Sequence, residues 1–201
     1  MTQIAIIDYG AGNLRSVMRG LEKAGANVIV TCDPDEIAAA DGLVLPGVGA
    51  FREAMEKLGA LQETVVSSSR EVPLLGICLG MQMLLETSEE HGFHKGLGLI
   101  PGNVRRFPKM AGFKVPHMGW NTLTLEMPDN PLLAGIRPDE SVYFVHSYYA
   151  DTTQEYTLTT TEYICPFASA VFRGTVYGVQ FHPEKSGVAG LKMLENFTGM
   201  V

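Results

Sequence analysis

The chain has 201 residues, of which 46% are hydrophobic and 18% are charged, a composition typical of a globular protein with a substantial core. Its formal net charge is −7 and its Lys and Arg residues form no cluster, which argues against nucleic acid and against an anionic membrane surface as primary partners. Three cysteines at irregular spacing fit neither a disulfide framework nor a CxxC metal site, so we expect a reducing, cytoplasmic location.

The N-terminal half alternates between strand and helix patterns. Residues 1–4 show no basic or apolar signal segment, and no later window approaches the length of a membrane span. Apolar runs predict strands at 4–7, 28–30, 43–45 and 73–77, and helical spacing predicts helices at 14–24, 50–66 and 81–85. Strands that alternate with amphipathic helices indicate βαβ units and a parallel sheet covered on both faces.

From about residue 96 the pattern changes to short strands separated by turn signals. These strands are predicted at 97–100, 142–145, 156–161, 168–172 and 176–181, and a helix at 188–197 closes the chain. We therefore predict an α/β fold with a mostly parallel central sheet flanked by helices and an added antiparallel sheet. No repeat or linker-like stretch interrupts the chain, so we expect a single domain over residues 1–201.

One cysteine lies between two glycines where a predicted strand turns into a helix, in Gly76-Ile77-Cys78-Leu79-Gly80. A nucleophile between small residues is the elbow geometry of hydrolases. We expect the glycines to prevent clashes in the tight turn, one of them at positive φ. The start of a helix also favours thiolate over thiol. A buried structural cysteine is the alternative, but the paired glycines favour a nucleophile.

A base and an orienting group follow the last predicted strand in Gln180-Phe181-His182-Pro183-Glu184. His182 is placed to take and return protons, and Glu184 to fix its tautomer. A lone histidine is more often structural. The carboxylate two residues on and the upstream elbow favour a triad of Cys78, His182 and Glu184.

Acyl transfer also needs donors for the developing oxyanion. The Leu79 amide, at the start of the elbow helix, is one candidate. The Val48 N–H, in the loop that follows the strand at 43–45, is the other. Taken alone this loop is equally well explained as a plain strand-to-helix turn.

Three blocks together resemble the class I (triad) glutamine amidotransferases: Pro46-Gly47-Val48-Gly49, the elbow extended through Met81 and Gln82, and residues 180–184. Within that family, four further blocks are similar to the glutaminase subunits of imidazole glycerol phosphate synthases. They are Asp8-Tyr9-Gly10-Ala11-Gly12-Asn13-Leu14, Pro116-His117-Met118-Gly119-Trp120-Asn121, Tyr143-Phe144-Val145-His146-Ser147-Tyr148 and His182-Pro183-Glu184-Lys185-Ser186.

The resemblance implies a reaction that needs no cofactor and no metal. Cys78 would attack the side-chain amide of L-glutamine while the amides of Leu79 and Val48 hold the oxyanion. His182 would protonate the departing ammonia and then activate water to release glutamate. Val48 would complete this site by a rotation of its peptide.

The resemblance also implies the substrate-binding residues. Gln82 lies one helical turn beyond Cys78, so both side chains can face one cleft. In the family, Gln82 would bind the α-substituents of glutamine, with the backbone around Gly47 and the segment His146-Ser147-Tyr148.

Free ammonia becomes ammonium in neutral water, so a glutaminase needs a dry route to an acceptor site. The predicted domain leaves no room for such an acceptor. The family implies a heterodimer with a (β/α)8-barrel cyclase subunit, which uses the ammonia in histidine biosynthesis. It places the docking face at Pro116, His117, Met118, Trp120 and Asn121, although spacing alone fits Trp120 in the core equally well.

Two alternatives remain open for the function. A glutaminase for another product is one, although anthranilate-type subunits usually have His where this chain has Met81, and pyridoxal 5′-phosphate-type subunits have Gly-Gly-Glu-Ser at residues 46–49. A silent binding module is the other, although such modules usually lose a triad member.

Two further motifs do not predict a site. The dinucleotide-like Gly10-Ala11-Gly12 has Arg15 in place of its third glycine, which argues against dinucleotide binding, and His91 and His94 lack further ligands for a metal.

Overall fold

The computed structural model describes residues 2–201. Its helices are α1 (Leu14–Lys23), α2 (Pro34–Ala39), α3 (Phe51–Leu58), α4 (Leu61–Ser68), α5 (Leu79–Met83) and α6 (Gly187–Thr198), with short 3₁₀ turns at Pro131–Leu133, Gln154–Tyr156 and Pro183–Lys185. No helix in this described part of the chain is both long and apolar enough to cross a membrane.

Fourteen strands are described. In chain order they are β1 (Gln3–Ile7), β2 (Asn27–Thr31), β3 (Gly42–Gly47), β4 (Leu74–Cys78), β5 (Leu85–Ser88), β6 (His94–Lys95), β7 (Ile100–Arg106), β8 (His117–Thr122), β9 (Thr124–Leu125), β10 (Ser141–His146), β11 (Tyr148–Asp151), β12 (Thr157–Glu162), β13 (Pro166–Arg173) and β14 (Val176–Val179).

Twelve of these strands form one sheet in the order β2-β1-β3-β4-β14-β13-β11-β7-β5-β6, with β12 paired to β13 and β9 paired to β12. The first five strands of that order run parallel, and the sheet continues through antiparallel pairs from β14 to β7. Strands β8 and β10 form a separate antiparallel pair. The predicted fold class is confirmed.

Each face of the parallel half is covered by helices. Ile4 and Ile6 of β1 belong to one core cluster, which also contains residues of α1 and α6. Ala5 and Ile7 belong to a second cluster with residues of α2, α3 and α5. A strand buried on both faces has a continuous apolar sequence, which is why β1 and β3 were recognisable from sequence.

The predicted helices at 50–66 and 81–85 are wrong in their extent. Gly59 adopts φ 45° and ends the first of them at Leu58, so α4 starts anew at Leu61. The elbow helix α5 ends at Met83, because Leu85 already pairs with β7.

The predicted strands at 97–100 and 176–181 are also wrong in part. Of the first, only Ile100 belongs to a strand, because the amides of Leu97 and Leu99 donate to backbone carbonyls at and just after the end of α5. Strand β14 ends at Val179, although the Gln180 backbone amide still donates to the Ser169 carbonyl of β13.

Helix α2 and strands β5, β6, β8, β9 and β11 were not predicted, although α2 has readable start signals. The Asp33 side chain accepts from the Asp35 amide, and Pro34 occupies the first turn.

Candidate active site

Three neighbouring parallel strands end at one edge of the central sheet. Gly47, the last residue of β3, lies opposite Cys78, the last residue of β4. On the other side of β4, Val179 of β14 lies opposite Ile77. The carboxyl ends of parallel strands are where open α/β sheets bind ligands. This register brings the loops after β3, β4 and β14 together.

The turn at Cys78 is strained at the cysteine itself. Cys78 has φ 55° and ψ −110°, whereas neither Gly76 nor Gly80 has a positive φ, so the predicted positive φ at a glycine is wrong, but the predicted prevention of clashes is confirmed. The glycines provide space instead: a Cβ on Gly80 would overlap the carbonyl oxygen of Leu45, and one on Gly76 would lie 2.8 Å from the Cα of Met81. The conformation of Cys78, with its positive φ, costs about 1–3 kcal/mol in a non-glycine residue.

His182 and Glu184 form a buried pair. His182 Nδ1 lies 2.9 Å from Glu184 Oε1, and the Glu184 side chain is fully buried. Burial alone would lower the pKa of His182, but hydrogen bonds and charge interactions with Cys78 and Glu184 raise it to about 9. The imidazole is therefore charged at neutral pH. Nδ1 is held by the carboxylate, which leaves Nε2 for the sulfur.

Backbone contacts with β10 hold the histidine loop in place. The His182 amide donates to the Tyr143 carbonyl at 3.0 Å. The Ser186 hydroxyl donates to the His182 carbonyl at 2.6 Å and accepts from the Tyr143 amide at 3.0 Å. The position of His182 is thus tied to strand β10.

A cavity of about 330 Å³ opens beside Cys78. Its walls come from the three loops and from the β10–β11 segment: Val48, Gly49, Cys78, Leu79, Gln82, Glu90, Pro116, Val145, His146, Ser147, Tyr148 and His182. Gly47 is the one predicted substrate residue absent from these walls, because it packs against α5, where an added Cβ would lie 2.7 Å from the Gly80 amide nitrogen. Glu90 was missed, since a carboxylate in an acidic loop carries no motif.

The two predicted oxyanion donors lie on the cavity wall in different surroundings. Leu79 is buried, whereas Val48 is 46% exposed. The strand before Val48 is anchored by Tyr9, whose hydroxyl donates to the Pro46 carbonyl at 2.7 Å. Burial and the nearby charge of Cys78 raise the pKa of Tyr9 well above its ordinary value. The hydroxyl therefore keeps its proton and remains a donor.

Gln82 is buried and has a fixed amide orientation. Its Nε2 donates to the Tyr148 carbonyl at 3.0 Å and to Gln180 Oε1 at 2.9 Å. Both amide protons are therefore used within the protein. Oε1 is the atom that remains for a ligand, and it can only accept.

His146 forms part of the cavity wall, but its ring nitrogens are engaged inside the protein. Nδ1 donates to the Tyr148 carbonyl at 2.8 Å, and Nε2 lies 3.0 Å from His117 Nδ1. Asn121 Nδ2 lies 3.3 Å from His117 Nε2 and donates to the Glu162 carbonyl at 2.8 Å. The Tyr148 carbonyl places the proton of His146 on Nδ1, and the Glu162 carbonyl turns the NH₂ group of Asn121 toward His117 Nε2. Both tautomers are thus fixed, and His117 Nδ1 donates to His146 Nε2.

Both rings of this pair are uncharged at neutral pH. Burial lowers the pKa of His117 to about 4. For His146, burial and the nearby imidazoles of His117 and His182 outweigh the hydrogen bond to Tyr148 and lower the pKa to about 3.

The predicted docking segment on β8 alternates in exposure. Met118 and Trp120 are 62% and 59% exposed, so Trp120 does not fill the core. Trp120 contacts Tyr143 of β10 edge to face, with 6.1 Å between ring centroids. His117 points inward, Asn121 bonds to the His117 ring, and Pro116 lines the cavity. Only Met118 and Trp120 present large exposed apolar side chains in this segment.

The remaining two cysteines do not line this cavity. Cys32 is exposed and Cys165 is half-buried, and both are free thiols. Within residues 2–201, no three His, Cys, Asp or Glu side chains are grouped as metal ligands.

The chain matches a known protein family over almost its whole length. The family model described as glutamine amidotransferase class-I matches residues 5–200. Two curated relatives are both named imidazole glycerol phosphate synthase subunit HisH. The one from Archaeoglobus fulgidus is 52% identical over 198 residues, 98% of each chain. The one from Methanosarcina acetivorans is 53% identical over 203 residues, 100% of each chain.

Solved structures with the same fold are more distant in sequence. A putative GMP synthase subunit from Thermoplasma acidophilum superposes with a TM-score of 0.75 at 22% identity, covering 100% of this chain and 94% of its own. PurLQS from Thermotoga maritima superposes with a TM-score of 0.74 at 18% identity, covering 98% and 97%. At such identities the likeness concerns the fold alone.

Proposed function

The chain belongs to the glutamine amidotransferase class-I family, and we propose that it is the glutaminase subunit of an imidazole glycerol phosphate synthase. Relatives that carry this name are more than 50% identical over the full length. The chain accordingly hydrolyses glutamine, and it works as one subunit of a synthase complex.

The observation that carries the chemistry is the charged His182 beside Cys78 at a strained elbow. A raised histidine pKa next to a thiol is what a thiolate–imidazolium pair requires. The thiolate is the nucleophilic form, and a charged imidazole beside the sulfur favours that form.

The proposed reaction has two stages. The Cys78 thiolate attacks the side-chain amide carbon of glutamine, and His182 Nε2–H protonates the departing nitrogen as the C–N bond breaks, which gives NH₃ and a glutamyl thioester. His182 then removes a proton from water, the hydroxide attacks the thioester, and the C–S bond breaks to release glutamate and the thiolate. The amides of Leu79 and Val48 serve each oxyanion.

Recognition of the α-ammonium of glutamine needs acceptors. Gln82 Oε1 is the free end of an amide whose protons are already used. Glu90 adds a carboxylate on the same cavity wall, and its Oε2 is held by the Phe51 amide at 2.6 Å. We assign these two side chains to the ammonium group, while Ser147 and Tyr148 also line the cavity.

The partner in this proposal is a (β/α)8-barrel cyclase that receives the ammonia through a dry channel. Met118 and Trp120 supply the exposed apolar anchors of its docking surface. Strand β10 contacts Trp120 through Tyr143 and also holds His182, so docking can act on the catalytic loop. A reducing, cytoplasmic location belongs to this proposal, because Cys78 must stay a free thiol.

Replacement of the nucleophile tests the glutaminase assignment. In the complete synthase, Cys78→Ala is expected to lower glutamate release by at least ~10³-fold, whereas the matched control Cys32→Ala, at an exposed site, retains it. Full activity of Cys78→Ala would refute the assigned nucleophile.

A further inference from the structure

Gln180 is a fully buried polar side chain for which the triad mechanism has no use. Gln180 follows β14, and its backbone amide donates to the Ser169 carbonyl at 2.9 Å. Its side chain lies between Gln82 and Cys78: Oε1 is 2.9 Å from Gln82 Nε2, and Nε2 is 3.8 Å from Cys78 Sγ. We propose that Gln180 stabilises the thiolate by donating this N–H to the sulfur, an inference that rests on the proposed glutaminase chemistry.

The orientation of the Gln180 amide follows from a backbone carbonyl. Tyr148 O can only accept, so the end of Gln82 that faces it must be the NH₂ group. The second proton of that group points to Gln180, so the facing atom of Gln180 must be its oxygen. The amide nitrogen of Gln180 is then the atom that faces the sulfur. A flipped Gln180 would set two NH₂ groups against each other.

The Tyr148 carbonyl that starts this chain of bonds is itself fixed. His146 Nδ1 donates to it at 2.8 Å, and His146 is held in turn by His117. The amide of Gln180 is thus oriented by a buried network whose members are far apart in sequence. Because the Gln180 side chain is fully buried, a donor held there is worth more than an exposed one.

A donor directed at the sulfur favours the thiolate over the thiol, because the negative sulfur is the better acceptor. It also favours departure of the sulfur when the thioester is hydrolysed, since negative charge returns to that atom. His182 supplies charge on one side of Cys78, and Gln180 supplies a neutral dipole from another direction. The neutral donor does not depend on the protonation state of the histidine.

The pH profile of Cys78 alkylation by iodoacetamide tests this role directly. The reaction consumes the thiolate and displaces iodide, and peptide mass spectrometry reads Cys78 separately from Cys32 and Cys165. Gln180→Met removes the donor at similar volume. Gln180→Glu also removes the N–H but keeps an oxygen for Gln82. Gln62→Glu is the matched control, because Gln62 Nε2 donates to the Met55 carbonyl at 2.9 Å outside the cavity.

We expect the midpoint of the Cys78 profile to move to higher pH by about one to two units in Gln180→Met, the size of a lost hydrogen bond to a charged group. In Gln180→Glu it should move at least as far, because the new carboxylate also repels the thiolate. Gln62→Glu should match the wild type. In the complete synthase, Gln180→Glu should lower kcat with little change in KM for glutamine, because the contact with Gln82 is kept. A packing defect would slow alkylation at every pH without moving the midpoint.

Two results would overturn the proposal, and they are distinguishable. Unchanged midpoints in folded Gln180 variants would remove Gln180 from the thiolate site and leave the glutaminase assignment intact. Complete alkylation of wild-type Cys78 with no loss of glutamine hydrolysis would remove Cys78 as nucleophile, and the role of Gln180 with it.

Discussion

The charge on His182 depends on two neighbours that lie on different elements. Cys78 is the last residue of β4, at the elbow, and Glu184 follows His182 two residues later. Because both raise the pKa of the imidazole against the opposing effect of burial, each should be separable by substitution.

Glu184→Gln removes one of these effects at constant shape. We expect the pKa of His182 to fall from about 9, as followed by NMR titration of the imidazole. Glutaminase turnover should fall roughly 10²-fold or more, because the carboxylate no longer orients or stabilises the imidazolium. Glu155→Gln, at an exposed position, is the control. An unchanged titration would show that Glu184 does not act on His182.

Residue types in the catalytic motifs could be read from the sequence, but the strain and the amide network could not. The elbow motif pointed to Cys78, yet the positive φ lies on the cysteine and not on a glycine. Gln82 contacts Gln180, which is 98 residues away, and Tyr148, which is 66 residues away. Such long-range bonds depend on how the strands pair, so a local sequence pattern cannot predict them.

At the scale of elements, the elbow depends on close packing between α5 and β3. The carbonyl of Leu45 occupies the space where a Gly80 side chain would lie. Gly80→Ala should therefore prevent the strand and the helix from packing together, with a loss of about 3 kcal/mol or more in the free energy of unfolding.

Gly199→Ala provides the matched control, because its Cβ would meet only ordinary contacts of 3.5 Å and its φ is −73°. Thermal denaturation of both variants gives the comparison. A melting temperature of Gly80→Ala equal to that of the wild type would contradict the packing described for the elbow.

The buried pair His117 and His146 makes stability depend on pH. Their folded pKa values, about 4 and about 3, lie below the value of 6.5 for free histidine. Below pH 6.5 the unfolded chain therefore binds protons that the folded chain does not. Stability should fall with decreasing pH by up to about 1.4 kcal/mol per unit for each ring, until the folded pKa is reached.

The expected signature is a pH-dependent effect of His146→Gln in urea unfolding. The substitution should destabilise most at pH 7, and the difference from the wild type should shrink toward pH 4.5, because only the wild type carries the protonation penalty at that ring. His91→Asn, at an exposed site, should leave the pH dependence unchanged. A His146→Gln difference that is constant with pH would show that the ring titrates normally in the folded protein.

Element prediction succeeded where both faces of a strand are buried and failed at boundaries. The apolar runs of β1, β3 and β4 were sufficient to predict these strands. The break between α3 and α4 was not predicted, because the helical spacing of apolar residues does not show that Gly59 has a positive φ. Strand β8 was not predicted, because its exposed face carries the apolar residues Met118 and Trp120, which hides the alternation of polar and apolar residues.

At the scale of the whole molecule, the β8–β10 pair connects the proposed docking segment with the loop that carries His182. Trp120 contacts Tyr143, and the Tyr143 carbonyl accepts from the His182 amide. Trp120→Ala should weaken cyclase binding by at least about tenfold in Kd, as expected for an aromatic hot spot. Phe93→Ala, at another exposed aromatic, should not, and titration calorimetry compares them. Equal affinities would place the docking surface elsewhere.

Release of glutamate from glutamine shows whether this glutaminase serves a cyclase. The rate is measured for the chain alone, with the (β/α)8-barrel cyclase, and with the cyclase plus its ribonucleotide substrate. We predict a low rate alone that rises at least about tenfold in the full mixture, within the usual range of coupling between sites, and that disappears with Cys78→Ala. Equal rates with and without the cyclase would contradict the account.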